Sequence, residues 1–317
     1  MDTGAILLAV TGLDPRPWQA RFRALAPARD VWTWPDALGD PAEIAYACAW
    51  HAPRGFLASL PKLRAIFSLG AGVDHVLADP TLPEVPIVRI VDPDLTMRMT
   101  EYVVLHALMH HRRQRLYDAQ QRERRWYEHA QPPASAVAVG VMGLGVLGCD
   151  AAQALSRLGF RTAGWSRSPK NLPGIETFHG DDGLDGFLRR TEILVVLLPA
   201  TSATRGILRL DLLRKLKRDG GAGGVYLINA GRGALQVDAD ILAALDEGSL
   251  AGATLDVFPA EPLPAASPLW AHPQVTVTPH NAAASDPGAL VANILQQIER
   301  VETGLPLEHV IDRASGY

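Results

Sequence analysis

Short, largely apolar runs punctuate the chain, and longer stretches with apolar positions at helical spacing lie between them. In the first hundred residues the runs occupy 5–10, 46–50, 65–69 and 87–90, each bounded by glycine, proline or polar residues. A second series occupies 137–142, 161–165, 193–198, 225–229, 254–257 and 275–278. Runs that are continuous, rather than alternating, fit strands buried on both faces of a parallel sheet. With helix-length segments between them, the pattern predicts an α/β chain with two doubly wound parallel sheets. Between the two series, residues 99–127 contain neither glycine nor proline, and Val103, Val104, Ala107 and Leu108 give them an apolar face. One long connecting helix is expected there, ended by Pro132 and Pro133. The expected division is therefore 1–98 with 285–317 in one domain and 99–284, carrying the helix 99–127, in the other.

Composition narrows the class. The chain has 317 residues, 48% hydrophobic and 20% charged, which suits folded domains rather than disorder. Its net charge of −4 gives no reason to expect nucleic acid or an anionic membrane as partner. The arginines of the connecting helix (112, 113, 115, 122, 124 and 125), partly offset by Asp118, Glu123 and Glu128, read better as a solvated or subunit-contacting face than as an anion site. The longest apolar run, 193–198, is far below the roughly 20 residues that a membrane helix needs. Two cysteines, Cys48 and Cys149, exclude a disulfide framework and favour a reducing compartment. With Asp2 and no basic segment at the start, a cytoplasmic location is expected. No metal is expected.

Candidate chemistry begins after the run 137–142, where Gly143-Leu144-Gly145-Val146-Leu147-Gly148 leads into a helical segment and then another strand. In this G-x-G-x-x-G turn the glycines serve the turn itself, the approach of a pyrophosphate to the backbone, and close helix–strand packing. The amides of Val146 and Leu147 would open the helix and face the phosphates. At the end of the next strand an NAD-preferring site usually carries an acidic residue, yet no Asp or Glu occurs between Ala151 and Ile175. Arg167 and Lys170 would instead pair with a 2′-phosphate, with Ser166 or Ser168 as hydroxyl donors. NADPH is the expected cofactor, with NADH possible. Cys149, in the first helical turn, is read as a small packing residue rather than an acidified thiol.

Three later strand ends carry charge in rigid turns: Asn229-Ala230-Gly231-Arg232-Gly233, the stretch from Asp256 to Glu261 and Pro262, and Thr278-Pro279-His280-Asn281. Together with the glycine turn, in this order and spacing, these segments resemble the D-isomer-specific 2-hydroxyacid dehydrogenase family. Trp50-His51-Ala52-Pro53, Leu69-Gly70-Ala71-Gly72-Val73-Asp74, Met99-Thr100-Glu101-Tyr102, Trp165-Ser166-Arg167, Pro268-Leu269-Trp270 and the ending Asp312-Arg313-Ala314-Ser315-Gly316-Tyr317 are similar to its glyoxylate- and hydroxypyruvate-reducing branch.

The resemblance implies a Rossmann-type cofactor domain inserted in a flavodoxin-like substrate domain, and a homodimer built on the long helix. It implies NADPH-dependent reduction of a small 2-keto acid. Arg232 would hold the substrate carboxylate, His280 would protonate the keto oxygen, and Glu261 would orient His280 and favour its charged form. Ala71 and Gly72 would hold the carboxylate from the other domain, and Trp50 would wall the pocket. Asp256 would bind the nicotinamide carboxamide, while Pro199, Thr201, Arg205 and Ala230 would border the cofactor. Asn281 departs from the family, which usually has an apolar residue there. Alternatives within the family are a D-lactate-type and a phosphoglycerate-type dehydrogenase; the 37 residues after His280 leave the second no regulatory domain. Outside enzymes, a dinucleotide-sensing binding protein shares the expected fold.

Overall fold

The structure, a computed structural model, describes residues 4–36, 38–314 and 316, so Ser315 and Tyr317 of the ending motif and Asp2 lie outside the described residues. It forms two compact units, Met1–Leu95 with Ser285–Tyr317, and Thr96–Ala284.

The first unit holds β1 (Ala5–Val10), β2 (Val31–Thr33), β3 (Ile44–Trp50), β4 (Ala65–Ser68) and β5 (Ile87–Val88), all parallel, in the order β2-β1-β3-β4-β5. Helices α1 (Arg16–Leu25) and α2 (Asp74–Leu77) belong to this unit. The apolar runs match their strands to within two residues. The exception is β2, whose three residues Val31, Trp32 and Thr33 are too short to make a run.

The expected single helix 99–127 is instead two. Helix α3 (Pro93–His111) begins earlier, because proline is tolerated in a first turn, and it ends where Arg113 adopts a left-handed backbone with φ of 54°. Helix α4 (Gln114–Arg122) follows. Arginine has no preference for the left-handed region, so composition does not mark this break.

The second unit contains β6 (Ala138–Met142), α5 (Val146–Arg157), β7 (Arg161–Ser166), β8 (Glu176–His179), α6 (Gly180–Leu188), β9 (Ile193–Val196), α7 (Leu210–Leu213), β10 (Tyr226–Asn229), α8 (Asp238–Asp246), β11 (Gly252–Leu255) and β12 (Val275–Val277). Its parallel sheet has the order β12-β11-β10-β9-β6-β7-β8. The edge strand β8 has no fully buried position and so gives no apolar run.

Each sheet is covered on both faces. In the second unit Val103 and Ala107 of α3 pack with Ala151, Ala152 and Leu155 of α5 on one face, and Phe187, Leu188, Ile241 and Leu245 cover the other. The chain returns to the first unit through α9 (Pro287–Glu302), capped by the Asp286 carboxylate accepting from the Ala289 N–H at 3.1 Å. Leu290, Ile294 and Ile298 of α9 pack with Trp18 and Phe22 of α1. In the second sheet the strand sequence reverses direction between β6 and β9, and ligands of such sheets bind outside the carboxyl ends of the strands at that point. Among the described residues no helix is long and apolar enough to cross a membrane, and no group of three His, Cys, Asp or Glu could hold a metal.

Candidate active site

The turn after β6 shows why its glycines are glycines. Gly143 has φ of 111°, and its N–H donates to the Trp165 carbonyl at 2.8 Å. A side chain there would come within 2.7 Å of the Leu197 carbonyl, and one at Gly148 would fall on the Gly143 carbonyl. A side chain at Gly145 would meet nothing within 4 Å. Gly143 and Gly148 thus serve the chain's own packing, whereas Gly145 keeps open the space before the first turn of α5. The N–H groups of that turn have no partner within the helix. An open cradle ending in free helix amides fits a dinucleotide pyrophosphate. Beside it, the Cys149 thiol donates to the Leu144 carbonyl at 3.5 Å, and burial pushes its pKa up despite Lys170. It is a packing residue.

At the end of β7, Ser166 is buried and donates its hydroxyl to the Ser168 carbonyl at 2.8 Å. In this arrangement its proton points back into its own turn. Arg167, Ser168 and Lys170 are exposed beyond it. After β9, Thr204 ties the turn from Pro199 to Arg205: its hydroxyl donates to the Pro199 carbonyl at 2.7 Å and accepts from the Thr201 N–H at 2.8 Å. Arg205 is exposed at its end, and Ala230 is buried after β10.

Arg232, Glu261 and His280 follow β10, β11 and β12, three neighbours in the sheet. The glycines beside Arg232 are required sterically. A side chain at Gly231 would lie 2.8 Å from the Leu198 carbonyl, and one at Gly233 would overlap the Phe258 carbonyl. Arg232 is half-buried and donates to the Gly231 carbonyl at 2.7 Å. His280 Nδ1 and Glu261 Oε2 are 2.7 Å apart, with side chains 39% and 35% exposed. The other Glu261 oxygen accepts from the Phe258 N–H at 2.9 Å. Burial alone would raise the Glu261 pKa. The hydrogen bonds from His280 and Phe258 and the charges of His280 and Arg232 outweigh it and hold the carboxyl below its ordinary value. With Nδ1 facing Glu261, the imidazole keeps Nε2 for proton exchange. The arrangement offers a cation and an oriented proton donor from adjacent strand ends.

Asp256 follows β11 and is only 1% exposed. Its oxygens accept from the Thr278 hydroxyl at 2.6 Å and from the N–H groups of Asn281 and Ala282 at 3.0 and 3.1 Å. This network, with Tyr102 bonded to Thr278 at 2.7 Å, is what the sequence reading missed. No local signal marks it, since Tyr102 and Thr278 are 176 residues apart.

In the first unit, Trp50 ends β3, and the segment carrying Ala71 and Gly72 follows β4, its neighbour. A side chain at Gly70 would come within 2.6 Å of the Trp50 ring, so the segment packs directly on that ring. The Ser68 hydroxyl donates to the Gly72 carbonyl at 2.8 Å, leaving Ala71 and Gly72 half-buried.

Residues 104–282 match the family described as D-isomer specific 2-hydroxyacid dehydrogenase, NAD binding domain. The chain is 42% identical over 310 residues to glyoxylate/hydroxypyruvate reductase A of Escherichia fergusonii, covering 96% of this chain and 97% of that one. To the protein of that name from Yersinia enterocolitica it is 36% identical, with the same coverage of 96% and 97%. The solved structure of an NADPH-dependent glyoxylate/hydroxypyruvate reductase from Sinorhizobium meliloti, in complex with NADP and sulfate, matches with a TM-score of 0.95 and 46% identity over 99% of this chain and 100% of that one. A D-isomer specific 2-hydroxyacid dehydrogenase from Xanthobacter autotrophicus Py2, in complex with NADPH and MES, matches with a TM-score of 0.94 and 41% identity over 99% and 100%.

Proposed function

The chain belongs to the D-isomer-specific 2-hydroxyacid dehydrogenase family, and on that premise we propose that it reduces small 2-keto acids with NADPH, glyoxylate to glycolate and hydroxypyruvate to D-glycerate. The observation that carries this reading is the Glu261–His280 pair at 2.7 Å beside the charge of Arg232.

The Arg232 guanidinium binds the substrate carboxylate and polarises the keto group. His280 donates the proton on Nε2 to the keto oxygen as C2 is reduced, and recovers a proton from solvent afterwards. Glu261 accepts from Nδ1, which fixes the ring and stabilises the imidazolium before transfer. Gly145 and the amides of Val146 and Leu147 hold the pyrophosphate of NADPH; Arg167, Ser168 and Lys170 hold its 2′-phosphate. When bound, NADPH supplies the hydride. Pro199, Thr201, Arg205 and Ala230 border the cofactor, and Asp256 takes its carboxamide. Trp50, Ala71 and Gly72 are the first unit's substrate contacts. On the same reading the enzyme is cytoplasmic and works as a homodimer.

The test follows loss of reduced-nicotinamide absorbance, crossing NADPH and NADH with glyoxylate, hydroxypyruvate, pyruvate and phenylpyruvate. Fastest turnover of the first two acids with NADPH is expected. Turnover only of the bulkier acids would move the substrate assignment, and NADPH binding without turnover of any acid would make the protein a dinucleotide sensor.

A further inference from the structure

We infer that Tyr102 and Thr278 are positioning residues for His280, acting through a one-way chain of hydroxyl hydrogen bonds onto Asp256. This rests on the reading of His280 as the proton donor.

The backbone at His280 is left-handed, with φ of 51°, a conformation disfavoured for a residue with a β-carbon. Its ring is 39% exposed, so packing restrains it weakly. Something else must hold the turn, and three successive amides show what does. The N–H of His280 donates to the Asp256 carbonyl at 2.8 Å, and those of Asn281 and Ala282 donate to the two Asp256 carboxylate oxygens. Consecutive N–H groups around a left-handed residue form an anion-binding concavity, here filled by the chain's own carboxylate.

Asp256 is held in turn. Both its oxygens already accept from backbone amides, so Thr278 must be the donor in the 2.6 Å contact with Oδ1. Thr278 has a single proton, so in its 2.7 Å contact with Tyr102 it must accept. The direction is therefore Tyr102 to Thr278 to Asp256, and each bond polarises the next. Tyr102 is buried with its ring tilted against that of His106, ring centroids 4.2 Å apart, and burial pushes its phenol pKa up, so the hydroxyl keeps its proton. Glu261 sets the ring of His280; Asp256, braced by the two hydroxyls, sets the backbone that carries it.

The experiment compares Tyr102→Phe, Thr278→Val and Thr278→Ser. With hydroxypyruvate and saturating NADPH, kcat should fall about 10- to 100-fold in Tyr102→Phe and Thr278→Val, the scale of a slightly misplaced catalytic group. KM for the keto acid should not change, because Arg232 is untouched, and Thr278→Ser should restore kcat. A second readout needs no turnover: in the ¹⁵N spectrum of the imidazole, taken at a pH high enough to deprotonate the ring, His280 should hold one neutral tautomer in the wild type and Thr278→Ser, and mixed tautomers in Thr278→Val. Unchanged kcat and tautomer in Tyr102→Phe and Thr278→Val would overturn the inference. So would equal loss in Thr278→Ser. A wild type that turns over no keto acid would refute the proposed function, while the tautomer comparison would still decide the relay.

Discussion

Glu261 keeps its charge where an ordinary glutamate begins to lose it. Its pKa lies below the usual 4.5, so its stabilising bond to His280 is complete above the unfolded value and is lost only as pH falls through the lower folded one. Any acid loss of keto-acid reduction assignable to Glu261 should therefore have its midpoint below pH 4.5. Glu261→Gln should lower kcat about 100-fold or more at neutral pH, because an amide neither stabilises the imidazolium nor fixes its tautomer; steady-state rates across pH check both. Arg167 offers a separate test. Loss of a hydrogen bond to a charged group costs about 1.5–3 kcal/mol, so Arg167→Ala should raise KM for NADPH about 10- to 100-fold and leave KM for NADH nearly unchanged. That Arg232, Glu261 and His280 sit in turns at strand ends could be read from the apolar runs before them, but each alone is an ordinary surface residue, and the roles expected of them came from the family resemblance. The Tyr102–Thr278–Asp256 relay was not legible in the sequence, because its members are ordinary residues brought together only by the fold.

At the scale of elements, apolar runs announce strands only where both faces are buried. That held for β1, β3 and β9 and failed for β2 and β8, which are short or at a sheet edge. The break between α3 and α4 was hidden because Arg113 pays no visible tribute in composition to its left-handed backbone. The glycine turn makes a sharper prediction than its pattern does. A methyl at 148 collides with the Gly143 carbonyl, whereas a methyl at 145 meets nothing. Gly148→Ala should cost about 1–3 kcal/mol of stability by overpacking and lower the melting temperature. Gly145→Ala should melt like the wild type yet bind NADPH more weakly. Thermal melts with a fluorescence titration of NADPH separate the two outcomes.

On the scale of the whole molecule, two series of apolar runs became two parallel sheets, and the orders β2-β1-β3-β4-β5 and β12-β11-β10-β9-β6-β7-β8 are those of the flavodoxin-like and Rossmann-type arrangements. Which strands neighbour each other was not legible from the runs themselves; it came from the family resemblance. In the second unit Met97 and Leu105 of α3, Leu116 of α4, and the following Trp126 and Tyr127 are exposed apolar side chains. On the proposed reading of the enzyme as a homodimer, these side chains would belong to the association surface. Sedimentation is expected to give twice the 34.1 kDa chain mass, and Leu105→Asp combined with Trp126→Asp should shift it toward a single chain.

The most direct test of the central claim is hydride transfer to hydroxypyruvate in a single turnover, comparing wild type with His280→Ala already loaded with NADPH. NADPH should bind both proteins equally, and oxidation of the bound cofactor should be about 10²- to 10⁴-fold slower in the variant. Oxidation in His280→Ala at close to the wild-type rate would contradict the assignment of His280 as the proton donor, and with it the mechanism built on the Glu261–His280 pair.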